Sequence, residues 1–169
     1  GIVMSEFTKE LERRIDAGWL TEPQDVRRML KHSAAEGRNM AQHIYAYMDL
    51  WLLQESLYPI YRVTMGGNAD LDTLKAAANG IIGPAANNFR ATKMEDTTSV
   101  LYRSITAISG CDSLESLAAT IRVVQRFINM MFYAVDLAFP WDAMCQEYSR
   151  VMKDFVPPHR AGAVDVSDQ

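Results

Sequence analysis

The stretch from Cys111 to Pro140 constrains this chain more than any other. Leu114, Leu117, Ala118, Ile121, Val124, Ile128, Met131, Phe132 and Val135 recur mostly at intervals of three and four. That recurrence is the apolar stripe of a helix with 3.6 residues per turn. Asp112 and Glu115 have the spacing of a reciprocal cap, which supplies partners for the free N–H groups of a first turn. Pro140 ends the run, because proline lacks an N–H and disfavours helix in the residue before it. At about 1.5 Å per residue such a rod reaches from one end of a small domain to the other. The expected fold is therefore all-α: a single-domain bundle of five to seven helices around a long central helix near 112–139.

The rest of the chain supplies the helices to surround it. Ser5 is placed to cap a short first helix, with Phe7, Leu11 and Ile15 on one face and Gly18 at its stop. Thr21-Glu22-Pro23-Gln24 is a second start signal, and Gly37 divides the next stretch into helices near 22–36 and 38–58. The second of these is apolar over much of its circumference from Tyr45 to Leu53, the mark of a helix covered by several neighbours or by another subunit.

Pro59, Gly66-Gly67-Asn68, Asn79-Gly80 and Gly83-Pro84 predict an irregular segment near 59–96. Within it, short helices are expected from Asp70 or Asp72 to Ala78 and from Pro84 to about Thr92. Thr97 or Thr98 opens a helix that Gly110 closes. Beyond Pro140, Trp141, Met144, Cys145, Tyr148, Val151, Met152 and Phe155 form a last amphipathic helix, stopped by Pro157-Pro158. No stretch alternates long enough to predict a strand. Residues 1–3 read as a cloning remnant, 4–156 as one helical domain and 157–169 as a disordered tail.

Composition narrows the function. The chain has 169 residues, enough for one core, and a formal net charge of −4, which gives no overall electrostatic case for nucleic-acid binding. Cys111 and Cys145 are too few for a disulfide framework and do not share a Cys-x-x-Cys spacing. With only 3 histidines beside them, no metal site and no cofactor are expected. No window holds 18 uninterrupted apolar residues, so no membrane span is expected, and the sparse cysteines make a reducing, cytoplasmic setting the expectation.

Several groups of residues carry possible chemistry. Arg27, Arg28, Lys31 and His32, with Arg13 and Arg14, form a basic group balanced by neighbouring Glu and Asp. Asp49 and Asp136 interrupt apolar runs and need partners, for which Arg122 and Arg126 are the candidates. The 10 methionines suit both an irregular core and an adaptable contact surface. Met48, Trp51, Met131 and Phe132 lie on the two helices with surplus apolar girth and are the candidate interface. The leading expectation is a non-enzymatic helical interaction or assembly module, a homo-oligomer or the binder of another protein.

The alternative rests on Arg38-Asn39-Met40-Ala41-Gln42-His43. Arginine, a polar residue, three variable positions and histidine resemble the signature of HEPN-type ribonucleases, small all-α domains that dimerise to build a composite site. The resemblance implies that His43 is the acid/base group, Arg38 the phosphate-binding cation and Asn39 the residue that orients them. The implied reaction is metal-independent attack of an RNA 2′-hydroxyl on its own phosphate, and nucleic acid is a partner only under this reading. Imidazole titrates near neutrality and guanidinium matches phosphate geometry, so the residue types suit that chemistry.

Overall fold

In the computed structural model, residues 3–18, 24–26 and 40–138 are described, residues 40–43 and 138 by backbone alone. The fold is an all-α bundle, and the described residues hold no strand. Five helices have both ends described: α1 (Glu6–Asp16), α2 (Met40–Gly66), α3 (Leu71–Ala91), α4 (Glu95–Ser109) and α5 (Leu114–Ala138). Residues 24–26 are also helical.

α5 is the long rod that its apolar period predicts. Leu117, Ile121, Val124, Ile128, Met131, Phe132 and Val135 are all buried. Its cap differs from the expected one by a single residue. Ser113 Oγ accepts the N–H of Ser116 at 3.0 Å, and Ser116 Oγ accepts that of Ser113 at 3.3 Å. The reciprocal motif is thus Ser113-x-x-Ser116 rather than Asp112-x-x-Glu115. Both pairs have the spacing of a capping box, so spacing alone does not separate them.

α2 lies antiparallel to α5: the rings of Tyr47 and Phe132 stand 4.6 Å apart, and Arg122 Nη1 reaches the Tyr61 hydroxyl at 3.4 Å near the other end. α3 and α4 form a second antiparallel pair, stitched by Asn79 Nδ2 to Ser109 Oγ (2.9 Å) and by Lys75 Nζ to the carbonyl of Cys111 (2.7 Å). α2 also packs on α3, and α4 on α5, so the four long helices close into a ring. α1 lies over the α4–α5 junction, with Arg103 of α4 stacked 4.4 Å above the Phe7 ring. Ser5 caps α1 as expected, accepting the N–H of Thr8 at 3.1 Å, and Gly18 follows its end at φ +76°.

The expected irregular segment near 59–96 is overturned. α2 runs through Pro59 to Gly66, and α3 is continuous from Leu71 through Pro84. Proline inside a helix costs about 3 kcal/mol. In α2 the turns on either side bury Leu53, Leu57 and Thr64, and Pro59 itself is exposed, so its ring displaces solvent rather than core. In α3 the residue before Pro84 is Gly83. The clash that keeps a pre-proline residue out of the helical region involves its Cβ, and glycine has none. The buried set Leu74, Ala78, Ile82, Ala86 and Phe89 then keeps its i, i+4, i+8 register across the proline. Asp70 caps this helix, accepting the N–H of Thr73 at 2.9 Å.

Candidate functional site

Of the residues the sequence singles out, Arg38 and Asn39 lie outside the described residues, and His43 is described only as backbone in the first turn of α2. The basic group Arg27, Arg28, Lys31 and His32 lies outside them as well, as do the helix expected after Pro140, with Cys145, and the expected tail. Arg13 and Arg14 both bond to Glu10, at 2.6 and 3.0 Å, and those bonds hold the Glu10 carboxyl below its usual range. Cys111 is buried, its thiol near the Ala107 carbonyl (3.4 Å) and the Thr120 hydroxyl (3.5 Å). Among the described residues, no three His, Cys, Asp or Glu side chains converge as a metal ion needs, and no helix is long and apolar enough to cross a membrane.

The four candidate interface residues separate into two groups. Met131 and Phe132 are 1% and 0% exposed, so they belong to the core of this chain and offer no contact surface. Met48 and Trp51 are half-buried on the flank of α2. The apolar surface lies one turn away from them, on residues that periodicity alone does not distinguish from core. Tyr45 is 63% exposed, Leu52 50% and Val63 50%, and Pro59 is exposed between the last two. At about 100° per residue, all four fall within about 40° of one line along α2. At the same end of the bundle as Tyr45, α5 exposes Tyr133 and Leu137. The reason is visible in the helix itself: α2 carries apolar residues on every side, and its neighbours among the described residues, α3 and α5, cover only part of that circumference.

The expected pairings of the aspartates are not those observed. Arg126 reaches back to α1, to Asp16 at 2.6 Å and Glu12 at 3.9 Å, and Arg122 bonds to Tyr61. Asp49 pairs with no arginine among the described residues, and burial raises its carboxyl above the usual range. Asp136 lies near Tyr47. Burial, with Asp136 and Tyr133 beside it, pushes the Tyr47 phenol up and keeps it neutral.

On the side of α2 opposite the exposed stripe lies a feature that the sequence does not announce. Gln54, Tyr58 and Tyr61 of α2 face Arg122, Gln125, Arg126 and Asn129 of α5 across a groove of ≈ 260 Å³. Every one of these side chains carries a polar group. Gln54 is only 8% exposed, yet its Oε1 has no hydrogen-bond partner, and neither has the buried Oδ1 of Asn129. The α2 residues are spaced i, i+4, i+7 and the α5 residues i, i+3, i+4, i+7, which puts each set on one helical face. A polar set at helical spacing inside two otherwise apolar rods was the available signal. A larger cavity, ≈ 350 Å³, lies between α1 and the end of α4, lined by Met4, Phe7, Arg103, Thr106, Cys111 and Asp112 among others. No residue of α2 or α5 lines it. No family model, no curated protein and no solved structure matches this chain.

Proposed function

We propose that the chain is a non-enzymatic helical module that self-associates through the outer stripe of α2. The observation that carries this reading is the collinear exposure of Tyr45, Leu52, Pro59 and Val63 on a helix that carries apolar residues on every side. Single exposed apolar residues are ordinary on a protein surface, but four aligned on one helix, with only Ser56 exposed among them on that line, call for a cover. Tyr45 and Val63 are five helical turns apart, so the band is about 27 Å long. Between Tyr45 and Val63 the charged side chains are Asp49 and Glu55, both half-buried, and the exposed Arg62.

A second copy is the occupant that fits. The band offers apolar contact and, at its margin, both signs of charge, from Asp49 and Glu55 on one hand and Arg62 on the other, so neither a strongly acidic nor a strongly basic partner is favoured. A copy of the same band brings matching apolar surface. Two-fold pairing also needs only one kind of patch, the commonest arrangement among soluble oligomers.

Sedimentation equilibrium over a range of protein concentrations tests the proposal. The expected result is a concentration-dependent dimer, converted to monomer by Leu52→Arg. Because Leu52 is half exposed, that variant keeps its helical circular dichroism and unfolds within about 0.5 kcal/mol of the parent. A monomer at every concentration overturns the proposal, and so does a dimer indifferent to both Leu52→Arg and Val63→Arg.

A further inference from the structure

We infer that the polar groove between α2 and α5 is a binding site for a nucleoside monophosphate, with the base edge on Gln54 and Asn129 and the phosphate on Arg122. Gln54 lies nine residues from Tyr45, two and a half turns, so the groove opens on the far side of α2 from the apolar stripe. Binding there leaves self-association untouched.

Three observations point to this ligand. The first is the unsatisfied pair at the inner end. Gln54 and Asn129 are nearly opposite each other in the antiparallel register that places Tyr61 beside Arg122. Each holds a buried amide oxygen without a partner. An unpaired buried acceptor costs about 1–3 kcal/mol, so the groove gains when a ligand supplies N–H or O–H donors. An amide offers both an acceptor and a donor, the arrangement by which Asn and Gln read a base edge.

The second is charge. Arg126 is already compensated by Asp16 and Glu12. Arg122, at the outer end, has the Tyr61 hydroxyl at 3.4 Å and pairs with no carboxylate among the described residues. The outer end therefore attracts an anion, and a guanidinium matches phosphate oxygens in a bidentate fashion.

The third is length. The amide pair and the Tyr61–Arg122 pair are seven residues apart along each helix, about 10 Å. A free amino acid or a simple organic acid is too short to join them. A nucleoside monophosphate spans that distance from base edge to phosphate, and Tyr58, midway along the groove, lines it with a ring over which the Arg62 guanidinium stands at 5.8 Å.

The same unit occurs free or as the 5′-phosphorylated end of a single strand. Calorimetric titration of the full chain with AMP, GMP, CMP and UMP, and with a 5′-phosphorylated tetranucleotide of the best base, tests the site. The expected result is saturable binding of at least one mononucleotide, weakened about tenfold or more when the phosphate is removed. Arg122→Ala abolishes that discrimination, binding nucleotide and nucleoside alike. Gln54→Leu loses affinity about tenfold or more and melts at or above the parent temperature, because it removes an unpaired buried acceptor. Asn129→Leu repeats the measurement on the other helix. Tighter binding of the tetranucleotide assigns the site to a strand end, and equal or weaker binding assigns it to the free nucleotide. The inference is overturned if no mononucleotide saturates, if Gln54→Leu and Asn129→Leu both bind as the parent does, or if both melt lower than the parent.

Discussion

Asp25 caps the helix of Thr97, a residue 72 positions further along the chain. One carboxylate oxygen accepts both the backbone N–H and the hydroxyl of Thr97, the latter at 2.6 Å, and the other accepts the N–H of Asp96 at 3.0 Å. The residue at the N-cap position of α4, Met94, makes no side-chain cap bond. A helix start needs partners for its first N–H groups. Here they come from a different part of the chain, and the carboxylate that supplies them is 1% exposed.

Removing that carboxylate therefore takes the Asp25 acceptor from the N–H of Asp96 and from the N–H and hydroxyl of the buried Thr97. Asp25→Ala is expected to cost about 2–3 kcal/mol in urea denaturation, at the upper end of cap deletions because several bonds are lost together. Glu6→Ala, an exposed acidic residue in the first turn of α1, is the control and is expected to cost under about 1 kcal/mol. Equal losses for the two variants would show that the tie between residues 24–26 and α4 contributes nothing.

The two glycines of α3 differ in what they do, and alanine substitution separates them. A Cβ at Gly80 meets nothing within 4 Å, and its backbone is not in the positive-φ region. Gly80→Ala is expected to stabilise by about 0.5–1 kcal/mol, the ordinary helix-interior gain. Gly83 has almost as much room, its nearest contact being Ile105 Cδ1 at 4.0 Å, but it precedes Pro84. Its Cβ would meet the proline ring, so Gly83→Ala is expected to lose that gain or reverse it. Thermal melts of the two variants side by side decide the point. A gain at Gly83 as large as at Gly80 would remove the physical reason given for the unbroken helix.

Phe132 and Leu52 test the division between core and surface. Phe132 is fully buried against Tyr47, and Phe132→Ala is expected to cost about 3–5 kcal/mol through lost burial and a residual cavity. Leu52→Ala, at half exposure, is expected to cost under about 1 kcal/mol. A small loss at Phe132 would mean that the α2–α5 contact is not the centre of the core.

These contrasts also show where sequence reasoning reached and where it stopped. The α5 stripe, the caps at Ser5 and Asp70 and the breadth of apolar surface on α2 were legible, because periodicity and capping are local properties. Pro59 and Pro84 misled for the same reason. A local rule counts the lost hydrogen bond but not the buried turns on both sides of it. Met131 and Phe132 were assigned to an interface because a helical wheel shows how much apolar surface exists, not which part its neighbours cover. Asp25, the pairing of Arg126 with Asp16, and the Gln54–Asn129 groove each depend on two distant segments meeting, and no single segment encodes that.

Two aspartates with opposite environments make stability depend on pH in opposite directions. The Asp70 carboxyl is held low by the hydroxyl and N–H of Thr73. Its folded value lies below the unfolded one, so its contribution is present above the unfolded value of 3.8 and is lost as pH falls through the folded value. The Asp49 carboxyl is pushed up by burial. Its folded value lies above 3.8, so its contribution is full below 3.8 and is lost as pH rises through the folded value. At neutral pH the ionised Asp49 opposes folding, and Asp49→Asn is expected to raise the melting temperature there. That advantage should shrink as the solution is acidified and vanish below 3.8, where parent and variant both present a neutral side chain. Asp70→Asn should do the reverse, with its deficit greatest at neutral pH and closing on acidification. Melting temperatures of the parent and both variants between about pH 3 and pH 7 check the signs, and an Asp49→Asn curve parallel to the parent would show that its carboxylate is fully hydrated in the fold.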